Sequence, residues 1–335
     1  NSVPVTLDGV TLVDNCAVGS GGAIYSRAST VTMTGGAVRG NFVGVEHASG
    51  EVGGRQDCTH RFTDRESALV AAATSPVLGG GVYAVQGHLT VNTTVVEDNS
   101  AGAGGAVHCA SCNLHIGGST VQRNWAATSG GGVDSVSSAT VTIVNTALRD
   151  NSAGMVGGGW SAVDTFGLVG GATLFHNNTA RSNPMTPDRN AGGGAYVKAT
   201  VSFAGASGVA NPSTLTFNGD TTWSSNTAPT GAALAVDSSF GDERCAACAR
   251  LCAGASSVGS SIELWSDPLS LTAFTNNAAR QHPYSGAALS WSNAPPQGPF
   301  ADTTTIAALE ASTGVHRVLA CALRLLFREL TPRAR

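Results

Sequence analysis

The feature that most restricts how this chain can fold is a repeat built on asparagine. Asn15, Asn41, Asn99, Asn124, Asn151, Asn178, Asn226 and Asn277 are each preceded at minus three by an apolar residue: Leu12, Val38, Val96, Val121, Leu148, Phe175, Trp223 and Phe274. Two residues after the asparagine stands alanine in every copy except the second, which has Val43. Five or six residues after the asparagine, the regular copies reach a glycine cluster opening at Gly21, Gly104, Gly130 or Gly157. The period is 25–27 residues. Self-similarity at that interval marks a solenoid, in which each unit buries its apolar face only against its neighbours.

The stretch between each glycine cluster and the next asparagine identifies the kind of solenoid. Segments such as "ATVTIV" (139–144), "STVTMT" (29–34) and "HLTVNT" (88–93) place β-branched and apolar residues at period two, which is strand chemistry. Each repeat reads as three short strands: one at the glycine cluster, one along the alternating stretch and one ending at the asparagine. Stacked coils of this kind give an all-β fold, a right-handed parallel β-helix (a pectin-lyase-like solenoid) of about eight coils. The asparagine is expected to take left-handed backbone angles at a sharp bend, and to hydrogen-bond up and down the stack through its side chain. Alanine and glycine fit places where backbones approach too closely for a larger side chain. A catalytic group is needed once, so an asparagine in every coil reads as architecture.

"FHNN" (175–178) and "FTNN" (274–277) match an FxxN element, and "GGAI" (21–24) and "GGAV" (104–107) match a GGA[ILV] element. As an ordered, repeated pair over residues ~5–290 they resemble the chlamydial polymorphic outer membrane protein repeats. That resemblance implies a surface-exposed, adhesive β-helix like an autotransporter passenger. The tail ends in "ELTPRAR", and the alternating strands of an outer-membrane barrel do not follow the repeats here.

Charge narrows the partners. Lys and Arg number 18 against 22 Asp and Glu, a net charge of −4, and Lys198 is the only lysine. No basic stripe exists to hold phosphates, which argues against nucleic acid. No run of ~18 apolar residues is present, so no transmembrane segment is expected in this chain. The sequence starts at Asn1 and its first residues already fit the repeat, which reads as part of a larger polypeptide.

The β-helix is expected over 1–292, a Pro-rich linker over 293–303 and an amphipathic tail over 304–335, whose leucines at three- and four-residue spacing suit a capping helix. Insertions interrupt the repeat at about 44–78, 180–191 and 238–262, where grafted binding residues would sit. Eight cysteines include "CASC" (109–112) and "CAACARLC" (245–252). Two CxxC pairs could build a zinc site, but these lie several coils apart, so Cys109, Cys112, Cys245, Cys248 and Cys252 are read as disulfide cysteines and no metal or other cofactor is expected. Asn92 and Asn177 head glycosylation sequons.

Many β-helices are polysaccharide lyases or glycoside hydrolases, and that alternative makes specific demands. The residue after each glycine element forms a column, Tyr25, Tyr83, His108, Asp134, Ser161 and Tyr196, in which a Ser-His-Asp triad would need the histidine in the middle. Asp134 is in the middle instead. The column is therefore expected to be a solvent-facing ladder, with Asp134 the first residue to test if the coil does chemistry. Asp14, Asp98 and Asp150 precede repeat asparagines in coils that are not all adjacent, too scattered for a Ca²⁺ cluster, and no carboxyl pair stands out for an inverting hydrolase. The expected function is thus non-catalytic: an extracellular or cell-surface structural or adhesive module, binding carbohydrate or protein.

Overall fold

The computed structural model describes residues 4–44, 77–181 and 191–237 apart from short gaps, together with strands at 261–265, 273–275, 278–279 and 289–291. It is a parallel β-helix of eight coils in four eight-stranded sheets. Sheet 1 runs from Pro4–Asp8 to Ser261–Trp265, sheet 2 from Thr11–Val13 to Ala273–Thr275, sheet 3 from Cys16–Val18 to Ala278–Ala279, and sheet 4 from Ile24–Arg27 to Leu289–Trp291. Coils are numbered by their strand in sheet 1. The fourth coil is representative: Asn113–Gly117, Thr120–Gln122, Trp125–Ser129 and Val133–Val136. Each strand pairs in parallel with its equivalents one coil away, without a register shift in sheets 1, 2 and 4.

The sequence predicts three strands per coil, and the structure has four. The additional one, in sheet 3, begins directly after the repeat asparagine and contains the plus-two alanine. Its two to five residues per coil are too short for an alternating pattern to register. The strand forms a narrow arm whose return leg is the glycine cluster. A Cβ on Gly105 would lie 2.5 Å from the Trp125 carbonyl oxygen, and one on Gly131 would lie 2.5 Å from that of Ser152. The second glycine of the cluster therefore packs its backbone directly on the next coil's arm. Ala101, Ala126 and Ala153 are fully buried in the arm, where a longer side chain would force the two legs apart.

The main core lies between sheets 1, 2 and 4. Inward columns run along sheet 1 (Val31, Leu89, Leu114, Val141, then Leu215), sheet 2 (Val38, Val96, Val121, Leu148, Phe175, Trp223) and sheet 4 (Val82, Val107, Val133, Trp160). Each fully buried side chain of this size contributes about 1.5–3 kcal/mol. Phe175 and Trp223, the apolar residues of two successive repeats, stack face to face at 3.9 Å. Gly167 interrupts the sheet 1 column where Trp160 reaches across: a Cβ there would lie 2.5 Å from the indole and 2.4 Å from Leu215.

The bend into the sheet 3 arm is not made by the asparagine. Left-handed angles fall one residue earlier, at Asp14, Gly40, Asp98, Arg123, Asp150, Asn177 and Ser225, with φ between 50° and 65°. This corrects the expectation that the asparagine itself is left-handed. The preceding residue turns the chain, which aims the asparagine side chain into the corner; Asn277 lies outside the described residues.

An antiparallel hairpin, Thr200–Ser202 with Val209–Asn211, is inserted between the sixth and seventh coils, an interruption the repeat spacing did not single out. Most of the insertions expected at 44–78, 180–191 and 238–262, the linker 293–303 and the tail 304–335 lie outside the described residues. Among the described residues there is no helix long and apolar enough to cross a membrane.

Candidate functional site

Two groups of polar side chains merit a functional reading: those buried at the coil corners and those lined up on the outer face of sheet 4.

At the first corner the asparagines form a continuous ladder. The Oδ1 of Asn124 accepts the backbone N–H of Asn99 and its Nδ2, both at 3.0 Å. The Nδ2 of Asn124 donates to the Oδ1 of Asn151 at 3.0 Å, and to the carbonyl of Val96 at 2.9 Å. The same pattern links Asn15, Asn41, Asn99, Asn124, Asn151, Asn178 and Asn226. The second acceptor is always the apolar minus-three residue of the previous coil: Leu12, Val38, Val96, Val121, Leu148 or Phe175. The spacing of the motif thus has a direct physical reason. One residue supplies a core side chain and, through its carbonyl, the anchor for the next coil's asparagine.

A second ladder, at the bend between sheets 1 and 2, escaped the sequence reading. Thr94 donates its N–H to Ser119 Oγ at 3.1 Å, and Ser119 in turn to Thr146 Oγ1 at 3.4 Å. Each hydroxyl donates back to a carbonyl within its own coil or the previous one. Its signal was present in the sequence: Thr94, Ser119, Thr146, Thr173 and Thr221 all stand five residues before a repeat asparagine.

The sheet 4 column is in register as the repeats predict, with Tyr25, Tyr83, His108, Asp134, Ser161 and Tyr196 side by side. Its environment is not as expected. Only Tyr25 is well exposed, at 55%, whereas His108, Asp134, Ser161 and Tyr196 are buried. The corner glycines account for part of this: a Cβ on Gly104 would lie 2.7 Å from the His108 Cβ, and one on Gly130 would lie 2.6 Å from the Asp134 Cβ. The corner backbone therefore lies against the roots of these side chains. A solvent-facing ladder exists only at the Tyr25 end.

Within the column, His108 Nδ1 and Asp134 Oδ2 are 2.9 Å apart but not aligned as a hydrogen bond, so their attraction is that of an ion pair when the imidazole is protonated. Tyr83 stacks on the other face of His108, with ring centroids 5.4 Å apart, and Tyr25 lies 5.3 Å beyond it. Burial holds the Tyr83 hydroxyl above its ordinary pKa, with Tyr25 adding to the effect and Arg27 opposing it. Asp134 separates His108 from Ser161 by two coils, ~9.6 Å at the inter-strand spacing. No proton passes directly between that hydroxyl and the imidazole, so the pair required for nucleophilic catalysis is not formed.

The remaining sequence candidates are dispersed. Asp98 holds Arg123 through two 2.9 Å contacts, and Glu97 approaches the same guanidinium at 2.6 Å. These bonds, the one from Asp98 foremost, hold the guanidinium firmly protonated. Asp150 accepts the Asn177 amide at 2.7 Å, and Asp14 stands two coils from Asp98. The three aspartates serve as separate bends. Among the described residues no three His, Cys, Asp or Glu side chains converge as metal ligands. Cys109 and Cys112 are joined by a disulfide in the core of the third coil, and Cys16, which the sequence reading did not select, is also disulfide-bonded. Cys245, Cys248 and Cys252 lie outside the described residues. Asn92 ends its sheet 1 strand half-buried, and Asn177 is exposed at its bend. No family model matches the chain, and neither a curated protein nor a solved structure matches it.

Proposed function

We propose that this chain is a non-catalytic structural and adhesive β-helix module of an extracellular or cell-surface protein, of the kind its FxxN and GGA[ILV] elements resemble. The observation that carries the reading is the asparagine ladder. From Asn41 to Asn226 the repeat asparagines are buried, and their hydrogen bonds run to neighbouring coils, so the motif holds coils together and leaves nothing for chemistry. The order of the sheet 4 column supports the same reading, because the acid sits where a base would have to be. The Cys109–Cys112 disulfide supports an oxidising compartment, since such bonds persist outside the cytosol. Ligands of such a module, carbohydrate or protein, would be met on the outer sheet faces. The test is a panel of acidic and neutral polysaccharides, read both for binding and for release of unsaturated or reducing ends. Binding without release is expected. Turnover would replace this reading with that of a lyase or hydrolase on the same scaffold.

A further inference from the structure

Resting on that reading, we infer that the outer face of sheet 1 is a binding platform for a neutral, linear polysaccharide lying along the solenoid axis.

Three observations lead there. First, from the second to the sixth coil the outward positions of this sheet carry no Asp, Glu, Lys or Arg, while the neighbouring outer face and bends of sheet 2 hold Arg39, Glu97, Asp98, Arg123 and Arg149. A face without lysine or arginine lacks the permanent cations that hold uronates, sulfated glycans, nucleic acid or anionic lipid. Second, Phe166 and Leu168 point outward from one strand and stay 44% and 40% exposed. An aromatic and an aliphatic side chain exposed side by side on an otherwise polar sheet face offer a ligand a small apolar contact. Third, the line leading to Phe166 along the axis is made of hydrogen-bonding side chains, His88, Asn113 and Thr140, all exposed. Asn113 Nδ2 lies 3.3 Å from His88 Nδ1, so two of these groups orient one another.

A hexose matches this combination. One face of the ring is a patch of C–H groups that stacks on an aromatic, and its rim is a belt of hydroxyls that both donate and accept. From His88 to Phe166 is three coils, about 14 Å, room for a short run of sugar units, and alternate coils repeat at about the length of a disaccharide. Sheet rigidity keeps the platform preformed, which lowers the ordering cost of binding.

The test is native electrophoresis of the full chain through gels containing the unbranched neutral glycans mixed-linkage β-glucan or glucomannan, with polygalacturonate and heparin as acidic counterparts. Retardation by at least one neutral glycan is expected. Phe166→Ala should weaken it about tenfold, Phe166→Tyr should retain it, and Arg123→Ala on the adjoining face should leave it unchanged. Passage through every neutral gel, retention by the acidic glycans alone, or Phe166→Ala behaving as the parent would each overturn the inference. Those results leave the non-catalytic reading standing, whereas release of reducing ends would remove that reading itself.

Discussion

Replacing Asn124 by alanine isolates the ladder from every other stabilising feature. The side chain accepts two hydrogen bonds from Asn99, and donates to Val96, Gln122 and Asn151. Truncation leaves the buried backbone N–H of Asn99 without its acceptor and the Val96 carbonyl without this donor. Each orphaned group costs about 1–3 kcal/mol, so the corner should lose about 3 kcal/mol or more. Asn15 provides the control, being exposed at the first rung with a single side-chain bond to Asn41. Its truncation should cost below about 1 kcal/mol. Solenoids open coil by coil, so amide exchange at Asn99 should be read beside the urea midpoint: roughly a hundredfold faster exchange corresponds to the expected loss. Glycine sharpens the test. Asn124→Gly should be as damaging as alanine, because the side chain and not a left-handed backbone is what matters there. Arg123→Gly should be near neutral, since relieving a φ of 54° gains about 1–2 kcal/mol, offset by the lost surface pairs with Asp98 and Glu97. Equal, small effects of Asn124→Ala and Asn15→Ala, or rescue by Asn124→Gly, would refute the account.

Gly167→Val should destabilise by about 1–3 kcal/mol through collision with Trp160 and Leu215, and Gly167→Val combined with Trp160→Ala should recover part of the loss in urea melts; additive effects would show that the two sites do not share space. Thiol titration in denaturant should find Cys109 and Cys112 blocked, and reduction of this four-residue loop should cost about 2 kcal/mol by loop entropy; free thiols at both positions would contradict the bond. Because the folded pKa of Tyr83 is raised above 10.0, its contribution to stability is full below pH 10 and is lost as pH climbs through the raised value. Tyrosinate absorbance should show a late-titrating phase that Tyr83→Phe removes. An unchanged profile would place the late phase elsewhere.

Much of the fold was legible because a solenoid repeats its physics along the chain. Eight asparagines at fixed distance from apolar residues, with period-two stretches between, already specify coils, sheets and register, and the described strands pair as that alignment requires. What escaped notice has local causes. The sheet 3 strand is too short to alternate, and the Ser/Thr ladder is written in residues common everywhere in this composition. The sequence points to the asparagine as the left-handed position although Asp14, Asp98 and Asp150 stand beside it: both residue types tolerate the conformation, and only the folded backbone decides which one turns the chain.

The candidate sites divide along the same line. The sequence by itself placed Tyr83, His108, Asp134 and Ser161 in one column, because periodicity fixes neighbours along the axis. It could not fix what lies around the axis. That the column is mostly covered while Phe166 and Leu168 are open, and that Gly167 makes room for Trp160, depends on how the glycine corner folds back and which side chains meet across the core. Period sets the stacking of coils; the tertiary structure alone decides their cross-section, and with it which faces meet solvent.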